Sequence, residues 1–247
     1  MQPETLVEPK TRFAQVIPFH AEPALDDLPP ARANGLKREG IRPPKFADKF
    51  AELDFEAEPM PVISMFAPPE PRDIVNLRLA IRDDDLKARI FAWRDLAHVP
   101  VHALTADLVC QIFNWHETVT WNGFLLSDVL DAFGIKAPPD GYLKFTSADG
   151  QYFETLSVDH ARDPRTMLAF AINGGPLPHE YGGPLRLVVP FLQGYKSVKW
   201  LERIDVYKHD PVGIKRLLGQ SKTARLGQAW LDRLAIAPPT GRPSDPV

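Results

Sequence analysis

The chain has 247 residues, 44% of them hydrophobic and 25% charged, with a formal net charge of −3. That is enough apolar material for one sizeable domain with extensions or for two small ones. The slightly acidic balance excludes a general basic field for nucleic acid, so any anion site has to be a local concentration of Lys and Arg.

Cys110 is the only cysteine, which excludes an intramolecular disulfide. The N-terminal stretch shows neither an apolar signal core nor a twin-arginine pair, and no apolar run reaches the roughly eighteen residues of a membrane span. A cytoplasmic, reducing setting is expected. Of the 26 prolines, 13 precede Asp73 and four follow Ala237, so both ends read as loosely structured. Residues 1–45 mix proline pairs with charges and no sustained period, as in a segment that cannot offset its ordering entropy by burial, and are expected to form an arm. A short helix is expected next, with Phe46, Phe50 and Leu53 on one side.

The compact domain is expected over 46–210, with a helical C-terminal extension over 211–247. "VNLRLAI" alternates apolar and polar residues as a half-buried strand does. "HVPVHAL" and "ADLVCQIF" read as two further strands, and "WNGFLLSDVLDAFGI" as a turn and then a helix burying Leu126, Val129, Leu130 and Phe133 until Gly134 stops it. Ala148-Asp149-Gly150 lies between two alternating runs and predicts a hairpin turn. "TMLAFAINGGPLP", "LRLVVPF" and "SVKWLERIDVY" complete a mixed, strand-rich α+β domain.

With "TSADG", "LAFAINGGPLP" and "WNGFLLSDVL", the run "GGPLRLVVPFLQGYKSVKWLERIDV" resembles the molybdopterin-binding domain of the sulfite oxidase family, in its compact bacterial form. The resemblance covers roughly Asn76 to Tyr207, with motif order and spacing kept over about ninety residues from Trp115. Independently of any family, Arg186, Lys196 and Lys199 gather around the Gly194–Ser197 turn, where backbone N–H groups and a nearby Arg can hold a phosphate-sized anion; on residue type alone they also read as solvated strand charges. The resemblance implies that Thr146, Tyr181, Arg186, Ser197, Val198 and Lys199 contact a molybdenum-pterin cofactor. Tyr181 departs from the family, which usually has His or Asn there, though a phenol still donates and accepts hydrogen bonds.

The resemblance also implies a cysteine thiolate on the metal, four residues before a tryptophan. Counting back from Trp115 gives Gln111, with Cys110 one residue out. On a continuous strand that slip turns Cys110 away from the cofactor. A bulge would restore it as ligand; otherwise it is a small buried hydrophobe and the metal loses its protein thiolate, because a Gln amide cannot replace one.

Of His116 and Glu117, which follow Trp115, either one is a candidate for the mouth of a substrate pocket, but adjacent strand residues face opposite ways and do not act together there. His98 and His102 are separated by Val99-Pro100 and cannot share a helix face. Asp149 reads as a turn residue, and Asp159-His160 as a solvated helix start. The implied activity is two-electron oxygen-atom transfer on a small oxyanion or S-oxide. With no haem-attachment motif, a separate electron carrier or partner subunit is expected. The competing reading is an altered or inactive family member serving as a partner subunit through the arm and the C-terminal segment, where Leu226, Trp230 and Leu234 recur at helical spacing. Docking of that segment on its own domain is the preferred expectation.

Overall fold

The computed structural model describes residues 65–83, 87–110, 115–221 and 223–237. The arm over 1–45, the helix around Phe46, the tail beyond Ala237 and Gln111 lie outside the described residues.

Two sheets pack around a shared core, and the α+β reading holds. The first sheet has the order β2-β1-β10-β5-β6, from β1 (Arg78–Arg82), β2 (Ala88–Ala92), β5 (Tyr142–Ser147), β6 (Phe153–Ser157) and β10 (Leu201–Tyr207). Its neighbours are antiparallel apart from β1 and β10, which run parallel with Ile81 opposite Ile204. Period-two alternation aims Leu79, Ile81, Leu143, Phe145, Ile204 and Val206 into the core. Asp149 closes the β5–β6 connection as expected, its Oδ1 accepting the N–H groups of Gln151 (2.7 Å) and Tyr152 (2.8 Å).

The second sheet has the order β3-β4-β7-β8, from β3 (Val101–Cys110), β4 (Trp115–Leu125), β7 (Met167–Ile172) and β8 (Gly175–Pro176), with β9 (Arg186–Val188) also paired to β7. It is covered on both sides, so β7 is apolar and buried along its whole length. Phe124, Leu168, Phe170 and Leu187 face the main core with the first sheet. Val119, Trp121, Met167, Ala169 and Val188 form a second, smaller cluster on the outer face. The helix α1 (Leu126–Ala132) buries Leu126, Val129 and Leu130, and Gly134 follows it at φ +57. Ser157 caps α2 (Val158–Arg162), its hydroxyl accepting the N–H of His160 at 3.3 Å.

Four expectations are corrected. "VHAL" of the first run and "ADLVC" of the second belong to one long strand, Val101–Cys110. Trp121-Asn122-Gly123 is not a turn but part of β4; an ideal Cβ on Gly123 would lie 2.1 Å from the Leu168 carbonyl oxygen, so the glycine is there to let β4 and β7 approach. His160 is not solvated: it is buried with its ring edge-on to Phe191, and burial holds its pKa below the usual histidine value. Leu226 precedes α4 (Gln228–Leu234) rather than sharing its face.

The C-terminal segment docks on its own domain. Leu226 is buried, Trp230 meets His116 edge-on at 5.9 Å, and Leu192 and Arg225 form a β-bridge. Among the described residues no helix is long and apolar enough to cross a membrane.

Candidate cofactor site

Two 3-10 turns, His179–Tyr181 and Gly194–Lys196, flank β9, and Arg186 at the start of that strand ties the region together. Its side chain is 2% exposed. Nη1 donates to the carbonyl of Tyr181 (2.7 Å) and Nη2 to that of Ser197 (3.1 Å), while the guanidinium carbon stands 5.0 Å from the Trp121 ring centroid. No carboxylate pairs with Arg186 among the described residues, and burial pushes the guanidinium down to about 10.

Lys199 stands beside it. Gly182, at φ +101, makes room: an ideal Cβ there would lie 2.8 Å from the Lys199 Cβ. The half-buried ammonium donates to the Glu180 carbonyl at 2.8 Å and lies over Trp200. Burial first and then Arg186 lower Lys199 to about 7, against the pull of Glu180. Ser197 Oγ accepts the N–H of Val189 at 3.0 Å, and the carbonyl of fully buried Val198 accepts the N–H of Leu187 at 2.8 Å. These bonds fix the segment from which Lys199 projects.

Tyr181, Arg186, Ser197, Val198 and Lys199 are thus brought together. Thr146 is in the other sheet, opposite Phe153 and Arg203, and no hydrogen bond joins it to Arg186 or Lys199 among the described residues. Lys196, read from the sequence with the anion cluster, belongs elsewhere: its ammonium is buried against Glu154 Oε2 (2.8 Å) and the carbonyl of Thr155 (2.9 Å). It is a structural ion pair, spent before any ligand arrives. Neither His116 nor Glu117 opens on a pocket mouth; both are buried. His102 pairs with Asp128 at 2.9 Å.

Cys110 and Trp115 are opposite one another at the end of the β3–β4 ladder, so they are on different strands and strand phase cannot be carried from one to the other. The neighbouring Val109 carbonyl packs against Gly194, where an added Cβ would lie 2.8 Å away. The backbone at Cys110 therefore adjoins the turn that leads to Ser197.

A buried Arg186 beside a half-buried Lys199, neither of them in a carboxylate ion pair among the described residues, is costly in isolation, and a phosphate dianion offsets that cost through charge-assisted bonds. The indole Nε1 of Trp121, also buried, has no hydrogen-bond partner among the described residues. These groups fit a phosphate-bearing, hydrogen-bonding cofactor.

Fold and site together define a pterin-cofactor-binding domain. Residues 66–214 match the oxidoreductase molybdopterin binding domain family, and the chain belongs to that family. It is similar to the protein-methionine-sulfoxide reductase catalytic subunit MsrP of Xanthomonas axonopodis pv. citri, 38% identical over 111 residues (39% of this chain, 34% of the relative). It is also similar to MsrP of Gluconobacter oxydans, 32% identical over 112 residues (39% and 36%). To the NADPH nitrate reductase of Fusarium oxysporum it is 29% identical over 141 residues (49% and 15%). The chain thus spans well under half the length of these relatives. The sulfane dehydrogenase SoxCD of Paracoccus pantotrophus shares the fold, with a TM-score of 0.51 at 23% identity over 76% of this chain and 59% of that one.

Proposed function

We propose that this protein is a molybdenum-pterin oxidoreductase that transfers an oxygen atom to or from a small oxyanion or S-oxide, with the cofactor phosphate held by Arg186 and Lys199. The observation that carries the reading is a pair of adjacent cations, Arg186 and Lys199, that form no carboxylate ion pair among the described residues, in a fold of the molybdopterin-binding family. The names of the similar proteins, a methionine-sulfoxide reductase and a nitrate reductase, support an S-oxide or an oxyanion as substrate.

When bound, the cofactor supplies the two-electron redox chemistry. The chain's own residues do the rest. Arg186 locks the two turns so that their backbone is preorganised before the ligand binds, and Lys199 becomes fully charged once an anion compensates Arg186. Trp121 offers an indole N–H to the ligand. Cys110, at the end of β3 beside the Gly194 turn, is the thiolate donor to the metal, and electrons pass to or from a separate carrier. A cofactor-free partner subunit is the less favoured reading, because the C-terminal segment proposed as its interface is used in docking on its own domain.

Metal and pterin analysis of the purified chain tests this directly. The expected result is about one molybdenum and one pterin per chain, with reduction of methionine sulfoxide or nitrate, or oxidation of sulfite, using artificial redox dyes. A chain expressed in a molybdenum-replete host that holds neither metal nor pterin overturns the reading.

A further inference from the structure

The outer face of β4 carries one group that the cofactor site as described does not use. Glu117, Val119 and Trp121 stand at alternate positions and share that face, over which Arg186 lies against Trp121. Glu117 is 0% exposed, and neither carboxyl oxygen has a hydrogen-bond partner among the described residues. Its ladder partner is Leu108, so its immediate neighbours on the face are apolar. The nearby ionisable groups of the hairpin, Asp107 and His116, are on the opposite face, 3.5 Å from one another, with Thr118 donating to Asp107. The charge on Glu117's own face is Arg186, beyond Trp121. Burial is the cause that raises the carboxyl to about 8, which leaves it a neutral acid at physiological pH.

A carboxylic acid that finds no acceptor within the fold is held ready for one outside it. From Trp121 the carboxyl is four residues along β4, about 13 Å at the usual strand rise, towards the end of the hairpin where Cys110 faces Trp115. We propose that Glu117 is the proton donor of the oxygen-transfer site, giving its carboxyl proton to the oxygen that leaves an S-oxide or oxyanion and recovering it in the reverse direction. The proposal rests on the oxygen-transfer reading above. Removing one oxygen from an S-oxide breaks the S–O bond, consumes two electrons and two protons and releases water. The electron pair comes from the reduced cofactor, one proton from Glu117 and the other from solvent, and solvent then reprotonates the carboxylate.

Two variants test it, Glu117→Gln, which keeps the shape without the proton, and Glu117→Asp, which keeps the acid. In cofactor-free protein, the infrared difference between wild type and Glu117→Gln should show a carboxylic-acid C=O band near pH 7 that fades as pH rises through about 8. In the loaded enzyme, with methionine sulfoxide as substrate and a reduced dye as donor, Glu117→Gln should lower kcat about 100-fold while KM and molybdenum content hold. The wild-type decline in rate above about pH 8 should vanish with it, and Glu117→Asp should restore part of both rate and pH dependence. Absence of the acid band, an unchanged rate and pH profile, or loss of pterin from Glu117→Gln, which would make the residue an anchor, each overturns the proposal. If loaded wild-type protein shows the band but is inert to sulfoxide, nitrate and sulfite, the oxygen-transfer reading falls, and the proton donor with it.

Discussion

After burial, Arg186 is what lowers the proton affinity of Lys199, its neighbour across the Tyr181–Gly182 turn. Without a ligand the two cations oppose each other; an anion makes them cooperate.

Sulfate, a dianion throughout the neutral range, should therefore bind the cofactor-free chain more weakly as pH rises through about 7, the pKa to which Lys199 is lowered. Isothermal titration at several pH values reads this, and a flat profile would count against the site. The stability linkage has the opposite sign. Because the unfolded lysine titrates near 10.5 and the folded one near 7, the unfolded chain binds the extra proton between those values, and this group makes the empty protein more stable as pH rises across that window. Lys199→Met should remove that slope and raise the melting temperature of the empty chain near pH 7 while lowering its pterin content.

The Lys196–Glu154 pair should behave as a structural element and not as part of the anion site. Glu154 also accepts the N–H of Lys215 at 2.8 Å, so the pair ties the Gly194 turn to β6 and to the C-terminal segment. Lys196→Met leaves a buried carboxylate without its cation and should cost about 3–5 kcal/mol in urea unfolding. In the fraction that folds, the sulfate affinity should be unchanged.

Gly123→Ala should be poorly tolerated. The new methyl group meets backbone, not a movable side chain, at the Leu168 carbonyl, and overpacking of that kind costs about 1–3 kcal/mol or more. Thermal melts of the variant should show the loss, with the β4–β7 amides exchanging faster than those of the β5–β6 hairpin.

At the end of β3, Cys110→Ala should abolish a sulfur-to-metal charge-transfer absorption in the loaded protein. Gln111→Cys in the Cys110→Ala background should fail to restore it. Recovery of the absorption in the double variant would mean that the family count from Trp115 was the better guide to the ligand.

Much of the framework was legible because it depends on local signals. The Asp149 turn carries its own hydrogen-bond acceptor, and α1 shows its buried face as Leu126, Val129 and Leu130 followed by a glycine. The motif resemblance brought out Arg186 and Lys199. What the sequence concealed is long-range. Trp121-Asn122-Gly123 has the composition of a turn, and only the approach of Leu168, far along the chain, explains the glycine inside a strand. Lys196 looks like its cationic neighbours until Glu154, 42 residues away, is found against it. Glu117 reads from the sequence as a candidate for a pocket mouth because nothing nearby in sequence announces that it is buried beside Leu108 of the partner strand. The ladder partner of Cys110 was concealed as well: it is Trp115, on the neighbouring strand.

The place of β10 has a consequence for how the chain assembles. It is the last strand of the domain in sequence and the middle strand of its sheet, between β1 and β5. Until Tyr207 has left the ribosome, β1–β2 and β5–β6 are two separate hairpins, each with an open edge and an apolar face awaiting the same strand. The first sheet can close only when its final element is inserted between partners made much earlier, so its folding is governed by contacts of high sequence separation. Nascent chains halted before Leu201 should be protease-sensitive and prone to associate through those edges, and release of the remaining residues through Tyr207 should bring protection to both hairpins in a single step.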